Sequence, residues 1–361
     1  MNLRKSHLAA AVGAALLVGG TAVQAQNLQV QIYGQVDRMM MFVDNDVASK
    51  WFVVDNQMSS SRIGVQGSAD IGSGLRAGGR IETEIRSNQS NAVNFVSPTN
   101  GSANGFTERW IDAWIEGGWG RVNLGQGSGA ADDASTIDLS GTSQVQGATL
   151  SDHGGAVPFT AGGASLGVGT VNVLDNFDFE SRYDRVMYTT PTFGGFRVQA
   201  GYGQKDNTGE ATEVSVWYSG KLAGELQAAI GYSTVNLGTA TTDDRVTMGG
   251  SVSWLHTSGL NLTAQYTTRE LDGVVGGRDA DHMFFKVGYK FGVHAISVAW
   301  EQTKDQAAAD DKATGMSIGY VWNPIRWAEF YAAYHLFSLD RTGVSDVNDI
   351  TVGVVGTRIR F

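Results

Sequence analysis

The 361-residue chain contains no cysteine and only four prolines. Without cysteine it can form neither disulfides nor thiolate metal sites. The prolines (Pro98, Pro158, Pro191 and Pro324) lie in loop or turn sequence, so none of them interrupts a strand pattern. Basic residues are also scarce, because 26 lysines and arginines stand against 36 acidic residues. This charge balance argues against nucleic-acid binding, which needs a basic surface.

Long apolar runs are missing too, except at the amino terminus. Two basic residues precede an apolar stretch from Leu8 to Gly20, and Val23-Gln24-Ala25 has the small-x-small form of a cleavage site. The stretch is shorter than the ~18 residues expected of a membrane helix, and polar sequence follows at once. Residues 1–25 are therefore predicted to be an export signal peptide, and 26–361 the mature domain.

Glycine and aromatic residues are abundant, with 48 glycines and 10% aromatics, which is typical of short strands and turns. From Leu28 onward one unit recurs: about ten alternating residues, a tight turn, about ten more, and a longer polar loop. In one such strand Leu75, Ala77 and Ile81 share a face while charged residues share the other. The pattern predicts about sixteen strands.

Alternation alone also fits a soluble β-sandwich, which buries one apolar face. Three features favour a membrane barrel: connections alternate between short and long, aromatic residues end many apolar faces, and the opposite face is expected to be polar throughout. The last strand also ends on Phe361, and such an unprotected apolar edge invites aggregation in a soluble protein. The predicted fold is all-β, a closed transmembrane antiparallel β-barrel of about sixteen strands.

Several motifs resemble the general, non-specific porins of Gram-negative outer membranes. They are Val30 to Asp37, Ser61 to Gly67, Ile71 to Ala77, Gly117 to Gly125, Tyr188 to Phe196, and Phe361. The resemblance covers essentially the whole mature chain. It implies a trimeric sixteen-stranded outer-membrane barrel whose water-filled channel passes ions and small hydrophilic solutes without any cofactor or metal.

The same resemblance implies the partners of the chain. These are membrane lipid and lipopolysaccharide, two further copies of the chain, and the barrel-assembly machinery, which would recognise Phe361. Small outward residues on the first and last strands would let the walls of a trimer approach closely; they are Gly34, Gly67, Gly79 and Gly353. Acidic residues in the predicted outer loops are either solvated loop tips or sites where divalent cations bridge to lipid headgroups.

Between residues 126 and 181 the alternation disappears, and a structureless segment longer than ~15 residues needs a functional reason. The resemblance supplies one, a loop folded into the lumen that narrows the channel. Its candidate constriction acids are Asp132, Asp133, Asp138 and Asp152. The facing basic wall is expected to be Arg62, Arg76, Arg80 and Arg86, with Glu82, Glu84, Asp112 and Glu116 also facing the lumen. The alternative is that these arginines only pair with neighbouring acids such as Asp70 and stiffen the wall.

Two positions depart from the family pattern, because Gln126 and Met187 stand where arginines are common. With the acids of the loop, they lead to an expected weak cation preference that fades as the salt concentration rises. Trp110 and Trp114 take the inward parity of their strand. They either line a path for sugars or aromatic solutes or pack against the inward loop.

No catalytic motif accompanies the scattered histidines, so an enzyme is not expected. Two other functions stay open besides a non-specific channel. One is a substrate-selective porin with its own small-molecule site, which would show saturable block by one solute. The other is an adhesin or structural barrel, whose lumen would be sealed.

Overall fold

The computed structural model describes residues 28–99, 105–205, 209–236, 245–270 and 279–361. The predicted signal peptide, residues 1–25, lies outside the described residues. Within the described ranges, no helix has the length and apolar character needed to cross a bilayer.

Strands make up most of the described chain. They are β1 (Gln29–Asp44), β2 (Ser49–Asp55), β3 (Arg62–Gly72), β4 (Leu75–Arg86), β5 (Gly105–Gly117), β6 (Gly120–Ser128), β7 (Pro158–Ala161), β8 (Ala164–Gly169), β9 (Arg182–Thr189), β10 (Phe196–Lys205), β11 (Gly209–Lys221), β12 (Gly224–Asn236), β13 (Arg245–His256), β14 (Leu260–Glu270), β15 (Asp279–Phe291), β16 (His294–Lys304), β17 (Lys312–Ile325), β18 (Ala328–Asp340), β19 (Val347–Asn348) and β20 (Ile350–Arg360). One short helix, α1 (Thr170–Val173), and two 3-10 turns, Gln57–Ser59 and Leu150–Asp152, complete the elements.

Seventeen of these strands form one closed antiparallel sheet, and β7, β8 and β19 form a small second sheet. One edge of β1 pairs with β20 from Gln35 to Asp44, and this pairing joins the ends of the chain. The other edge pairs with β3 and then with β2, so β2 and β3 act as one strand interrupted by the turn Gln57–Ser59. Counted in this way, the barrel has sixteen strands, which confirms the predicted fold.

The outer face of the barrel is apolar, as a lipid-facing surface must be. Ile32, Ile230 and Val298 are each more than half exposed, and tyrosines such as Tyr202 and Tyr266 end exposed faces. Connections at one rim are short turns, while most of those at the other rim are longer, including residues 87–99 and 129–181. The alternation of short and long connections is thus present.

The inward face is not polar throughout, which corrects the expectation from the sequence. Met39, Met41 and Val43 of β1 and Val352 of β20 point inward and are buried together with Phe159 of the long connection after β6. Alternation only shows that a side chain points away from lipid, and it does not show what fills the interior. Here a loop fills part of the lumen and buries apolar wall residues, so the barrel contains an apolar core.

Candidate functional site

The connection between β6 and β9 lies inside the barrel; we call residues 129–181 the inner loop. It begins at 129 rather than 126 because the end of β6 still pairs with β9. Leu139 N donates to Ser253 Oγ of β13 at 2.9 Å, and Thr142 Oγ1 lies 2.6 Å from Ser297 Oγ of β16. Serine hydroxyls on the inner face of the wall thus form hydrogen bonds with the loop, which has no neighbouring strand among the described residues to bond with at these positions.

The interruption between β2 and β3 provides the main anchor of the inner loop. Asn56 Nδ2 donates to Gln144 O at 2.9 Å, and Asn56 Oδ1 lies 3.1 Å from His153 Nε2. His153 Nδ1 is in turn 3.0 Å from His335 Nε2 of β18, and both imidazoles are fully buried. Sequence reasoning treated these two histidines as unrelated, and only the fold brings them together.

A second bond set ties the same part of the loop to β1 and β18. Tyr331 Oη donates to Asp37 Oδ1 at 2.5 Å, and the Gln144 side chain donates to the other oxygen of Asp37. Asp37 and Tyr331 are both buried. The loop is therefore held by side chains from β1, β18 and the β2–β3 break, with the wall of β3–β6 left opposite it.

The four predicted wall arginines point into the lumen from β3 and β4. Arg62 Nη1 lies 3.9 Å from Glu82 Oε1, Arg76 Nη1 lies 4.0 Å from Glu116 Oε1, and Arg86 Nη2 lies 3.4 Å from Glu84 Oε2. Three of the four thus have the wall partners that the stiffening alternative required. Arg80 makes no ion pair among the described residues, and its guanidinium carbon lies 3.2 Å from the centroid of the Trp110 ring.

Sequence reasoning missed Arg109, which is the strongest partner of Glu82. Its Nε lies 2.6 Å from Glu82 Oε1, and its Nη1 lies 3.8 Å from Glu84 Oε2. The register shifts here, since Glu82 faces Trp110 while the next residue of β4 faces Glu108. The extra residue forms a β-bulge, which lets Arg109 and Trp110 both point inward. Strict alternation assigned Arg109 to the lipid face.

Three more inward arginines have parity that the alternation could have identified: Arg121, Arg185 and Arg358. Arg185 Nη2 lies 3.4 Å from Asp112 Oδ2, and Arg121 Nη1 lies 3.7 Å from Glu116 Oε2. All four predicted lumen-facing acids (Glu82, Glu84, Asp112 and Glu116) therefore point inward and pair with at least one wall arginine.

Two of the predicted loop acids, Asp132 and Asp133, form a cluster with Asp178. Carboxylate oxygens of the three lie within 4.8 Å of one another, while the Asp133 N–H and the Ser135 hydroxyl donate to Asp178. Burial, then the neighbouring Asp133, raises the pKa of Asp178 to about 7 and that of Asp132 well above its ordinary value. The cluster thus carries less negative charge at neutral pH than three ordinary aspartates.

The structure corrects the assignment of Asp138 to the acids that face the wall arginines. Its Oδ2 lies 2.6 Å from Lys286 Nζ on β15, and both side chains are buried. The Lys286 ammonium lowers the pKa of Asp138 although burial opposes this. The inner loop follows the wall at this point, so this carboxylate neutralises a wall lysine instead of facing the channel.

Asp152 lines a cavity of about 270 Å³ between the inner loop and the wall, with Asp133, Ser59 and Arg358. Asn91 Nδ2 lies 3.5 Å from its Oδ1. Burial raises the pKa of Asp152 to about 7, and Asp175 adds to the effect. Its charge at neutral pH is therefore partial.

The two departures from the family pattern differ in their placement. Gln126 pairs in register with Ile111, whose side chain is half exposed on the outer face, so Gln126 points away from the lumen. Met187 is buried on the inward side opposite Asn123. Of these two replacements of an arginine, only the one at Met187 can make the potential of the channel less positive. The same effect was expected of Gln126, and the structure corrects this.

Comparisons with known proteins support one family. The profile of a family described as Gram-negative porin matches residues 9–342. Outer membrane porin protein 32 of Delftia acidovorans is 29% identical over 338 residues, covering 89% of this chain and 86% of the relative. An outer membrane porin protein of Bordetella pertussis is 23% identical over 419 residues, covering 97% of this chain and 99% of the relative.

Solved structures share the fold. An anion-selective porin from Comamonas acidovorans aligns with a TM-score of 0.65 at 22% identity, covering 93% of this chain and all of that one. OmpF of Salmonella typhi in complex with daunomycin aligns with a TM-score of 0.65 at 14% identity, covering 92% and 97%. OmpT of Vibrio cholerae in its trimer form aligns with a TM-score of 0.61 at 17% identity, covering 93% and 100%.

Proposed function

The chain belongs to the Gram-negative porin family of outer-membrane channels, which are not enzymes, and from this premise we propose that its channel passes ions and small hydrophilic solutes by diffusion with a preference for anions. The observation that carries the preference is the sharing of wall carboxylates. Glu82 serves both Arg62 and Arg109, and Glu116 serves both Arg76 and Arg121.

Arginines therefore outnumber carboxylates on this wall. The inward arginines of β3–β6 and β9 that make ion pairs or ring contacts are Arg62, Arg76, Arg80, Arg86, Arg109, Arg121 and Arg185, against the inward carboxylates Asp70, Glu82, Glu84, Asp112 and Glu116. Facing acids compensate this excess only in part, because Asp138 already pairs with Lys286 and Asp178 has a pKa of about 7. The cation preference expected from the sequence was derived by counting these acids as fully charged and unpaired.

The test is the zero-current potential of the purified protein in a planar bilayer across a potassium chloride gradient. Chloride should be preferred, and the preference should weaken as salt shortens the Debye length below ~8 Å. The double variant Arg80→Gln/Arg109→Gln should move the potential toward potassium. Lys221→Gln, at the short-turn end of β11, removes a charge far from this wall and should leave it unchanged. A potassium preference in the wild-type channel would overturn the proposal.

Homotrimer formation is supported by outward glycines near the seam. A Cβ added at Gly353 would meet nothing within 4 Å, so a neighbouring wall could lie close to it. Gly34, also expected at this contact, is instead covered by the ring of Phe361. The native mass in detergent should be that of a trimer, and Gly353→Trp should reduce it. Ile230→Trp, on the exposed face of β12, is the matched control and should leave the trimer intact.

Export and insertion complete the proposal. A signal peptide ending at residue 25 predicts that outer-membrane protein begins at Gln26, which mass spectrometry can measure. Contact with lipopolysaccharide and recognition of Phe361 by the barrel-assembly machinery follow from the family and an exposed terminal aromatic ring. Unprocessed protein in the outer membrane would contradict the predicted cleavage.

A further inference from the structure

The wall of β4–β6 carries two indole rings, each contacted by arginines. The Arg80 guanidinium carbon lies 3.2 Å from the centroid of the Trp110 ring, and that of Arg121 lies 3.9 Å from the Trp114 ring. Arg76 lies 5.9 Å from the Trp114 ring. We call these five residues, which line one side of the channel, the arginine–tryptophan ladder.

Glycines in the wall make room for both rings. A Cβ at Gly78 would lie 2.4 Å from the Trp114 ring, and one at Gly127 would lie 2.6 Å from the Trp110 ring. Neither indole could keep its position beside a larger residue. The rings are therefore fixed by the backbone, and they hold the guanidinium groups in place before any solute arrives.

The guanidinium groups of the ladder are open to solutes. Arg80 has no ion pair among the described residues, so its donors are not saturated by a carboxylate. Arg76 and Arg121 share the single carboxylate of Glu116, and their side chains are 42% and 37% exposed. Arg76 and Arg80 lie four residues apart on the same face of β4, about 13 Å along the strand. A solute can therefore meet one guanidinium after another.

A guanidinium offers two kinds of contact. Its N–H edge binds a carboxylate, and its flat face stacks on an aromatic ring. A solute that uses both contacts has a planar ring and an anionic group. Neutral sugars would need indole faces that the arginines already occupy, and saturated carboxylates can use only the edge.

We propose that the arginine–tryptophan ladder makes the channel discriminate among organic anions in favour of planar aromatic carboxylates. The inference rests on the proposed anion-preferring channel and adds the substrate class. It also decides between the two roles open to Trp110 and Trp114: they act on solutes through the arginines that they support.

The test compares two solutes of equal charge and similar size, benzoate and cyclohexanecarboxylate. Each is titrated against the chloride current of the wild-type channel in a planar bilayer. The half-blocking concentration of benzoate should be about two- to five-fold lower, as expected for one cation–π-type contact. Equal block by both acids would overturn the proposal, and so would equally strong block by a neutral disaccharide.

The variant Arg80→Lys distinguishes the effect of the planar guanidinium group from the effect of its positive charge. This variant keeps the positive charge but loses the planar group, so the ratio of the two half-blocking concentrations should fall toward one while chloride preference stays. Arg358→Lys, at an arginine paired with Glu329, is the matched control and should keep the wild-type ratio. Undiminished discrimination in Arg80→Lys would overturn the role of the ladder. A wild-type channel that prefers potassium would instead count against the proposed function, and the benzoate ratio is read independently of it.

Discussion

Gly34 and Phe361 exchange two backbone hydrogen bonds: Gly34 N donates to Phe361 O at 2.9 Å, and Phe361 N donates to Gly34 O at 3.0 Å. The Phe361 ring covers Gly34, and a Cβ added there would lie 2.7 Å from it. The terminal aromatic is thus part of the seam where the first and last strands close the barrel.

Gly34→Ala should weaken that seam. The added methyl group meets both the Phe361 ring and the Arg62 carbonyl oxygen at 2.7 Å, so the strands must separate or the ring must move. We expect a lower yield of folded barrel and a lower melting temperature, read from the heat-dependent shift in gel mobility. Gly118→Ala, in the turn between β5 and β6, adds the same group in open space and should behave as wild type. Equal behaviour of the two variants would contradict this account.

Lys286→Met should destabilise the barrel strongly. It leaves the Asp138 carboxylate buried without its cation, and breaking one side of a buried pair costs about 3–5 kcal/mol. Urea unfolding followed by tryptophan fluorescence measures the loss. The double variant Lys286→Met/Asp138→Leu removes both charges and should recover most of the stability. A single variant as stable as wild type would show that the pair contributes nothing.

Acidification should increase the chloride preference. The pKa of Asp178 is about 7, so this group loses negative charge as the pH falls from about 8.5 to about 5.5, and the raised pKa of Asp132 acts in the same direction. Because their folded-state pKa values lie above the unfolded ones, the same protonation stabilises the loop as the pH falls through about 7. The zero-current potential at each pH measures the effect. Asp132→Asn/Asp178→Asn should show a clearly smaller pH dependence, with Asp152 supplying the remainder, and a full wild-type shift in that variant would exclude the cluster as the source.

Asn56→Ala should loosen the inner loop. It removes the bonds to Gln144 O and His153, and each unsatisfied buried group costs about 1–3 kcal/mol. We expect noisier single-channel currents and closure at lower voltage, without loss of the barrel. Asn94→Ala, which alters a half-buried loop asparagine bonded to the backbone N–H groups two and three residues further along the chain, should leave the currents steady. Steady currents in Asn56→Ala would show that the loop is held elsewhere.

The alternation of side chains along a strand is a local property. It predicted the barrel, and it predicted which residues of β4 point into the lumen. Arg76, Arg80, Glu82 and Glu84 all lie where the alternation placed them. The same rule failed at Arg109, because one bulged residue changes the side of everything beyond it on the strand. Nothing in the composition of β5 marks that position.

The inner loop was predicted because the alternation of apolar and polar residues disappears there. The residues that it contacts could not be predicted in this way. Asp138 meets Lys286 across 148 residues of sequence, and His153 meets His335 across 182. Such contacts depend on where the loop crosses the lumen, which no local signal encodes. The expected ion preference was derived from charges alone, whereas it depends on which charges are already paired.

The apolar core inside the barrel sets the order in which the protein can mature. It joins Met41 of the first strand, Phe159 of the inner loop and Val352 of the last strand, so it needs both ends of the chain at once. Contacts so distant in sequence form late, because the loops between them must close first. A half-assembled barrel with an open seam therefore lacks this core, and the part of the inner loop around Phe159 packs only after the final strand has docked. Closing the wall and packing this part of the inner loop are one folding event.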